Sequence, residues 1–199
     1  MPLAMRLTLM SRHGRSIFNI EGVVNGDPAL DRGLDPSALP VCEAFAHQIA
    51  TLQIDLCVVS EFLRAQQTAE LALGGREVPR IVDPDLNDIR VGELEGKTLD
   101  AYREWKHGRD RDDPFPGGES LNNAARRYAD AFERLLARPE KILLVVCHEI
   151  PVRYAVNAAA GTTNLDAPLH DIPNATPYLF DPPGLERAVA RIRELAGPR

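Results

Sequence analysis

No stretch of the chain approaches the roughly 18 consecutive apolar residues that a membrane span requires. The first residues, Met1 to Arg6, also lack the basic region and apolar run of a secretory leader. A cytoplasmic location and no membrane partner are therefore expected. Basic charge is in deficit too: 23 Lys and Arg stand against 29 Asp and Glu, a formal net charge of -6. That balance argues against a nucleic-acid partner, since proteins that bind nucleic acid usually gather a surplus of Lys and Arg on one face. Cysteine is scarce. Cys42, Cys57 and Cys147 are odd in number, widely spaced and set among apolar residues, so they fit neither a disulfide framework nor a zinc ribbon and read as buried free thiols. No cluster of Asp, His or Cys has metal-ligand spacing, so neither a metal nor a cofactor is expected. Internal repeats and low-complexity segments are absent from the sequence.

What is present is the composition of an ordinary globular protein: 199 residues, 44% hydrophobic and 26% charged, enough for one core and read as one domain over residues 1–199. Continuous apolar runs of strand length at residues 5–10, 55–60 and 142–147 predict parallel strands buried on both faces, with a weaker strand over 174–180. Between them, Leu39, Cys42, Phe45, Ala46, Ile49 and Leu52 recur at helical spacing, as do Leu121, Ala124, Ala125, Tyr128, Phe132, Leu135 and Leu136, the latter behind Ser120 as N-cap. A further helix is expected to begin near Pro151 and stop at Gly161. This alternation predicts an α/β fold, a three-layer α/β/α sandwich with a mostly parallel central sheet, binding ligands at the carboxyl ends of its strands. The charged stretch from His107 to Gly118 reads as a solvated surface loop.

The polar residues at the strand ends carry the chemistry. The first run leads into Arg12-His13-Gly14, the second through Ser60 to Arg64, and the third into His148. Three distant parts of the chain thus bring two arginines and two histidines to one sheet edge. Taken singly, such a His is more often structural and such an Arg a surface charge. Their shared position past a buried strand favours a site. Arg12 and Arg64 suit a phosphate monoester, because guanidinium forks hold the dianion and stabilise charge on its equatorial oxygens. Neutral His13 can attack phosphorus in line, a protonated His148 would add a donor, and the leaving alkoxide calls for a carboxylic acid from another segment.

Five ordered motifs extend this pattern: Arg12-His13-Gly14-Arg15-Ser16 with Asn19; Ser60, Arg64, Ala65, Thr68 and Ala69; Leu86-Asn87-Asp88 followed by Gly92, Glu95 and Gly96; Pro116-Gly117-Gly118-Glu119-Ser120; and His148. Together they resemble the histidine phosphatase superfamily, the phosphoglycerate mutase-like group, in its small phosphatase branch. The resemblance implies a phosphoglycerate mutase-like fold, a phosphohistidine on His13, and a catalytic set of His13, Arg12, Arg64, His148 and Asp88. Asp88 stands where the family usually carries a glutamate that donates the proton, one methylene shorter, with Glu93 as the second choice and Glu95 assigned to loop order. Substrate binding falls to Arg12, Asn19, Arg64 and His148, and to two departures: Arg15 in place of the usual Glu and Glu149 in place of the usual Gly. Both departures also admit structural readings, Glu149 through Arg153 one helical turn on. The segment from Gly26 to Pro40 is longer and more irregular than the family's.

The expected function is a metal-independent hydrolysis of a small-molecule phosphate monoester, with a homodimer permitted. Two alternatives stay open: a phosphoglycerate mutase-type phosphotransferase, for which 199 residues leave little room for the usual insertions over the site, and a weakly active phospho-ligand-binding protein.

Overall fold

The computed structural model describes residues 6–198, so Met5 of the first expected strand lies outside the described residues. The strands β1 (Leu7–Arg12), β2 (Leu56–Val59), β3 (Arg80–Val82), β4 (Ile142–Cys147) and β5 (Pro177–Phe180) form one sheet in the order β3-β2-β4-β1-β5. β4 pairs in parallel with β1 and β2, β3 is parallel to β2, and only β5 runs antiparallel, on β1. The mostly parallel sheet is as expected.

Because successive side chains of a strand point to opposite faces, each central strand feeds two cores. Leu9, Cys57, Val59, Leu144 and Val146 pack with residues of α2 (Leu39–Gln48) and α3 (Leu63–Leu73). Met10, Leu56, Val58, Leu143 and Val145 pack on the other side with α5 (Leu121–Leu136), α6 (Glu149–Ala159) and α7 (Pro182–Ala196). All three cysteines are buried free thiols. No described helix is long and apolar enough to cross a membrane.

Several elements depart from the sequence expectation. The helix expected through Leu52 ends at Gln48, although Ile49 remains buried in the turn that follows. α6 starts at Glu149, directly after His148, with Pro151 inside its first turn. β3 was not expected, since its three residues are all exposed and lack a buried face to produce a pattern. α7, which the sequence reading did not anticipate, begins with Pro182-Pro183, a pair that suits a helix start, where the missing N–H costs nothing and Asp181 accepts from Gly184 N at 2.8 Å. Two short helices, α1 (Ile17–Glu21) and α4 (Leu99–Lys106), were also unforeseen. The expected solvated loop is only partly so: Arg111 turns inward, pairs with Asp166, and donates to Tyr154 Oη at 2.8 Å and to Asn122 Oδ1 at 3.0 Å.

Candidate active site

The carboxyl ends of β1, β2 and β4 lie side by side, and the chain leaving each supplies one part of the site. His13 N donates to Cys147 O at 2.9 Å, which extends the β1–β4 ladder one residue and fixes His13 beside His148. Their ring centroids are 5.3 Å apart. Asn174 Nδ2 holds His13 O from the other side at 2.7 Å. Gly14 is required by packing beneath the site, because a Cβ there would lie 2.8 Å from Cys42 Sγ.

The His13 ring is buried, and Nδ1 lies 2.6 Å from Gly14 O. A proton on Nδ1 serves that bond and leaves the Nε2 lone pair free to accept, as it does from Arg64 Nε at 3.1 Å. Burial first, then the Arg64 and Arg12 guanidiniums, push the His13 pKa well below the ordinary imidazole value. The ring is therefore neutral. His148 is likewise pushed well down, by burial and then by Arg64 and His13, and it accepts from Arg64 Nη2 at Nδ1 (3.3 Å) while Nε2 faces Ser60 Oγ at 2.9 Å. The extra donor that a protonated His148 would supply is therefore not present in the resting site. The imidazolium would sit without solvent against a guanidinium.

Arg64 is the hub. Its guanidinium meets Asn25 through both Oδ1 and the backbone O, and Asp31 Oδ1 at 3.1 Å, while lying over the Phe62 ring at 4.1 Å. Asp31 also accepts from Arg64 N at 2.8 Å, capping the start of α3, where Phe62 offers no side-chain cap. Asn25 is held in turn by Glu95, whose carboxylate accepts from Asn25 Nδ2 at 2.8 Å and from Gly26 N at 2.7 Å. Glu95 therefore orders a loop, as expected, but it is the loop that braces Arg64. Asn25, Asp31 and Asn174 escaped the sequence reading; for Asp31 the available signal was the irregularity of the segment from Gly26 to Pro40, and for the other two there was none.

Arg12 Nη1 donates to Ile172 O at 2.9 Å and pairs with Glu149 Oε2 at 2.7 Å, whereas its buried Nε has no partner among the described residues. Glu149 also reaches Arg153 at 2.9 Å, so the structural pairing anticipated for it is present and is shared with Arg12.

Asp88 stands across the site, Oδ2 3.5 Å from His148 Nδ1 and 3.6 Å from Arg64 Nη2. Burial, which outweighs Arg64, raises its pKa above the usual aspartate value and so favours the protonated acid. Its turn is gripped from below: buried Glu119 accepts from Arg90 N at 3.0 Å and pairs with Arg127, which donates to Asp85 O, Asn87 O and Asp88 O. Gly118 packs so closely there that a Cβ would fall 2.2 Å from Arg90 O. The Gly117-Gly118-Glu119 motif thus serves Asp88 from a distance.

Arg12, His13, Asn25, Arg64, Asp88 and Glu149 line a cavity of about 430 Å³ whose rim includes Phe18 and Asn19 of α1 and Leu99, Tyr102 and Lys106 of α4. Asn19 faces the cavity, with its Oδ1 committed to Ser16 N at 3.1 Å. Three candidates are not on the wall: His148 is fully buried against Arg64 and His13, and two others are exposed elsewhere. Arg15 is exposed and outside the cavity wall, because its backbone is drawn to the 33–38 segment, where its O accepts from Asp35 N at 2.9 Å. Glu93 is exposed and also outside, its N bonded to Pro116 O at 2.8 Å. The arrangement can hold a dianion between guanidiniums, present a neutral imidazole to it and offer a proton from the opposite wall.

Comparison with known proteins agrees with this chemistry. The family model of the histidine phosphatase superfamily (branch 1) matches residues 8–194. A 2,3-bisphosphoglycerate-dependent phosphoglycerate mutase of a Methylobacterium species is 30% identical over 197 residues, covering 88% of this chain and 90% of the relative. Among solved structures, a candidate alpha-ribazole-5'-P phosphatase of Escherichia coli superposes with a TM-score of 0.78 at 24% identity, covering 89% of this chain and 90% of the other. A mycobacterial glucosyl-3-phosphoglycerate phosphatase gives 0.72 at 25% identity, covering 87% and 92%.

Proposed function

Since the chain belongs to the histidine phosphatase superfamily, we propose that it is a metal-independent phosphatase that hydrolyses a small-molecule phosphate monoester through a phosphohistidine. The observation that carries this reading is the neutral, buried His13, its Nε2 lone pair turned toward Arg64 and its Nδ1 committed to Gly14 O.

In the proposed reaction the ester dianion enters between Arg12 and Arg64 and takes the donor that Arg12 Nε keeps unpaired. Arg64 Nε exchanges His13 Nε2 for a phosphate oxygen, which frees the lone pair. Nε2 then attacks phosphorus as the P–O bond to the alcohol breaks, and Asp88 passes its proton to the departing oxygen. The Asp88 carboxylate next takes a proton from a water that attacks the phosphohistidine, releasing inorganic phosphate and restoring His13 and the acid. His148 acts from its neutral form, accepting from Arg64 and keeping that guanidinium in the plane of the site. The arginines supply the positive charge that a metal would otherwise bring.

The test is phosphate release from a panel of sugar phosphates, phosphorylated amino acids, glycerate phosphates and nucleotides, with and without a chelator. Turnover of at least one ester, undiminished by the chelator, is expected. Isomerisation of phosphoglycerates without phosphate release would favour the mutase reading, and binding without turnover the ligand-binding one.

A further inference from the structure

Each arginine assigned to the phosphate already has a carboxylate partner. Arg64 faces Asp31 at 3.1 Å, and Arg12 faces Glu149 at 2.7 Å. Glu149 is the more telling of the two, because it occupies the position after His148 where the resemblance leads one to expect glycine, and its side chain is 28% exposed on the cavity wall. It is also firmly placed. Arg153 holds its other oxygen at 2.9 Å and is itself fixed by Asp166 at 3.1 Å and by His170 O at 2.8 Å.

We propose that Glu149 is a charge-balancing residue that acts through Arg12 to keep phosphate binding weak, so that inorganic phosphate is released readily after hydrolysis. This rests on the proposed function, in which Arg12 is a phosphate ligand. Two effects of the carboxylate oppose each other. By clamping Nη1, it spares the ordering of a rotamer-rich side chain on binding, which aids affinity. By standing one guanidinium away from a dianion, it repels that dianion across a partly buried space, where charges are screened far less than in water. Repulsion acts on two negative charges at once, whereas the clamp is duplicated by the bond from Arg12 Nη1 to Ile172 O. Repulsion therefore wins.

The experiment measures the inhibition constant of inorganic phosphate, with p-nitrophenyl phosphate as substrate, in three variants. Glu149→Gln keeps the shape and removes the charge, and should lower that constant about tenfold, together with KM, while Glu149→Asp stays near the wild type. Arg153→Met leaves the Glu149 charge less neutralised and should raise the constant about threefold. Structural damage would move both variants the same way, so opposite signs show a charge effect; the Glu149→Gln arm decides, because Arg153 also lines the cavity and its own charge favours the anion. An unchanged or higher constant in Glu149→Gln overturns the proposal. Wild-type protein that neither phosphate nor orthovanadate inhibits would instead overturn the phosphohistidine reading on which it rests.

Discussion

Asp31→Asn removes the counter-charge from a pair sealed inside the protein, with side-chain exposures of 0% for Asp31 and 4% for Arg64. The change keeps the shape of the side chain but leaves the buried guanidinium with Asn25, the two histidines and, as its one remaining acidic neighbour among the described residues, Asp88 at 3.6 Å. It also weakens the charged cap on Arg64 N at the start of α3. Breaking a buried pair on one side costs about 3 kcal/mol or more. For a chain of 199 residues, at roughly 2–4 °C per kcal/mol, the melting temperature should fall by about 6–12 °C. Added phosphate or orthovanadate should then stabilise the variant more than the wild type, because the anion replaces the missing carboxylate beside Arg64. Thermal scans of both proteins, with and without the anion, measure both effects. A melting temperature within about 2 °C of wild type would show that the pair contributes little. Equal anion-induced shifts in the two proteins would refute the view that Asp31 and phosphate share Arg64.

The other predictions follow from the same geometry. His13→Ala should lower turnover at least about a thousandfold while leaving the melting temperature close to wild type, and substantial residual activity would remove the nucleophile from the mechanism. Asp88→Asn should slow esters with poor leaving groups by about a hundredfold or more and p-nitrophenyl phosphate much less, since a good leaving group scarcely needs a proton; equal losses would reassign the acid. In the wild type, kcat/KM for poor leaving groups should decline as rising pH deprotonates Asp88, whose pKa burial has raised, and the decline should be shallower for p-nitrophenyl phosphate. Stability should respond to acid through His13 and His148, whose pKa values are depressed in the fold: above pH 6.5 neither state is protonated, and below it the unfolded chain binds protons that the folded protein refuses. Denaturant titrations should therefore show stability lost as pH falls below about 6.5, by up to about 1.4 kcal/mol per pH unit for each histidine, and a double His13→Asn, His148→Asn variant should lose that slope.

The sequence alone determined the layered α/β plan, four of the five strands, and the delivery of Arg12, His13, Arg64 and His148 to one edge. Buried parallel strands must be continuously apolar, and residues just past their carboxyl ends are placed by the backbone whatever the rest of the chain does. Asp88 was legible only through its motif, because a carboxylate in a turn carries no signal of what it faces. Tertiary structure decided the rest. Asp31, Asn25 and Asn174 reach the site across the fold, from 33 residues away in the bond between Asp31 and Arg64 N and from 161 in that between Asn174 and His13 O. Polar side chains in irregular segments follow no periodicity, so only packing reveals which of them meet. The protonation states were equally invisible: His148 is an acceptor in the resting site because it is buried against Arg64, and Arg15 drops out because its backbone turns toward Asp35. Charge and hydrogen bonding depend on distances in space, and spacing along the chain fixes those distances only within a single helix or strand.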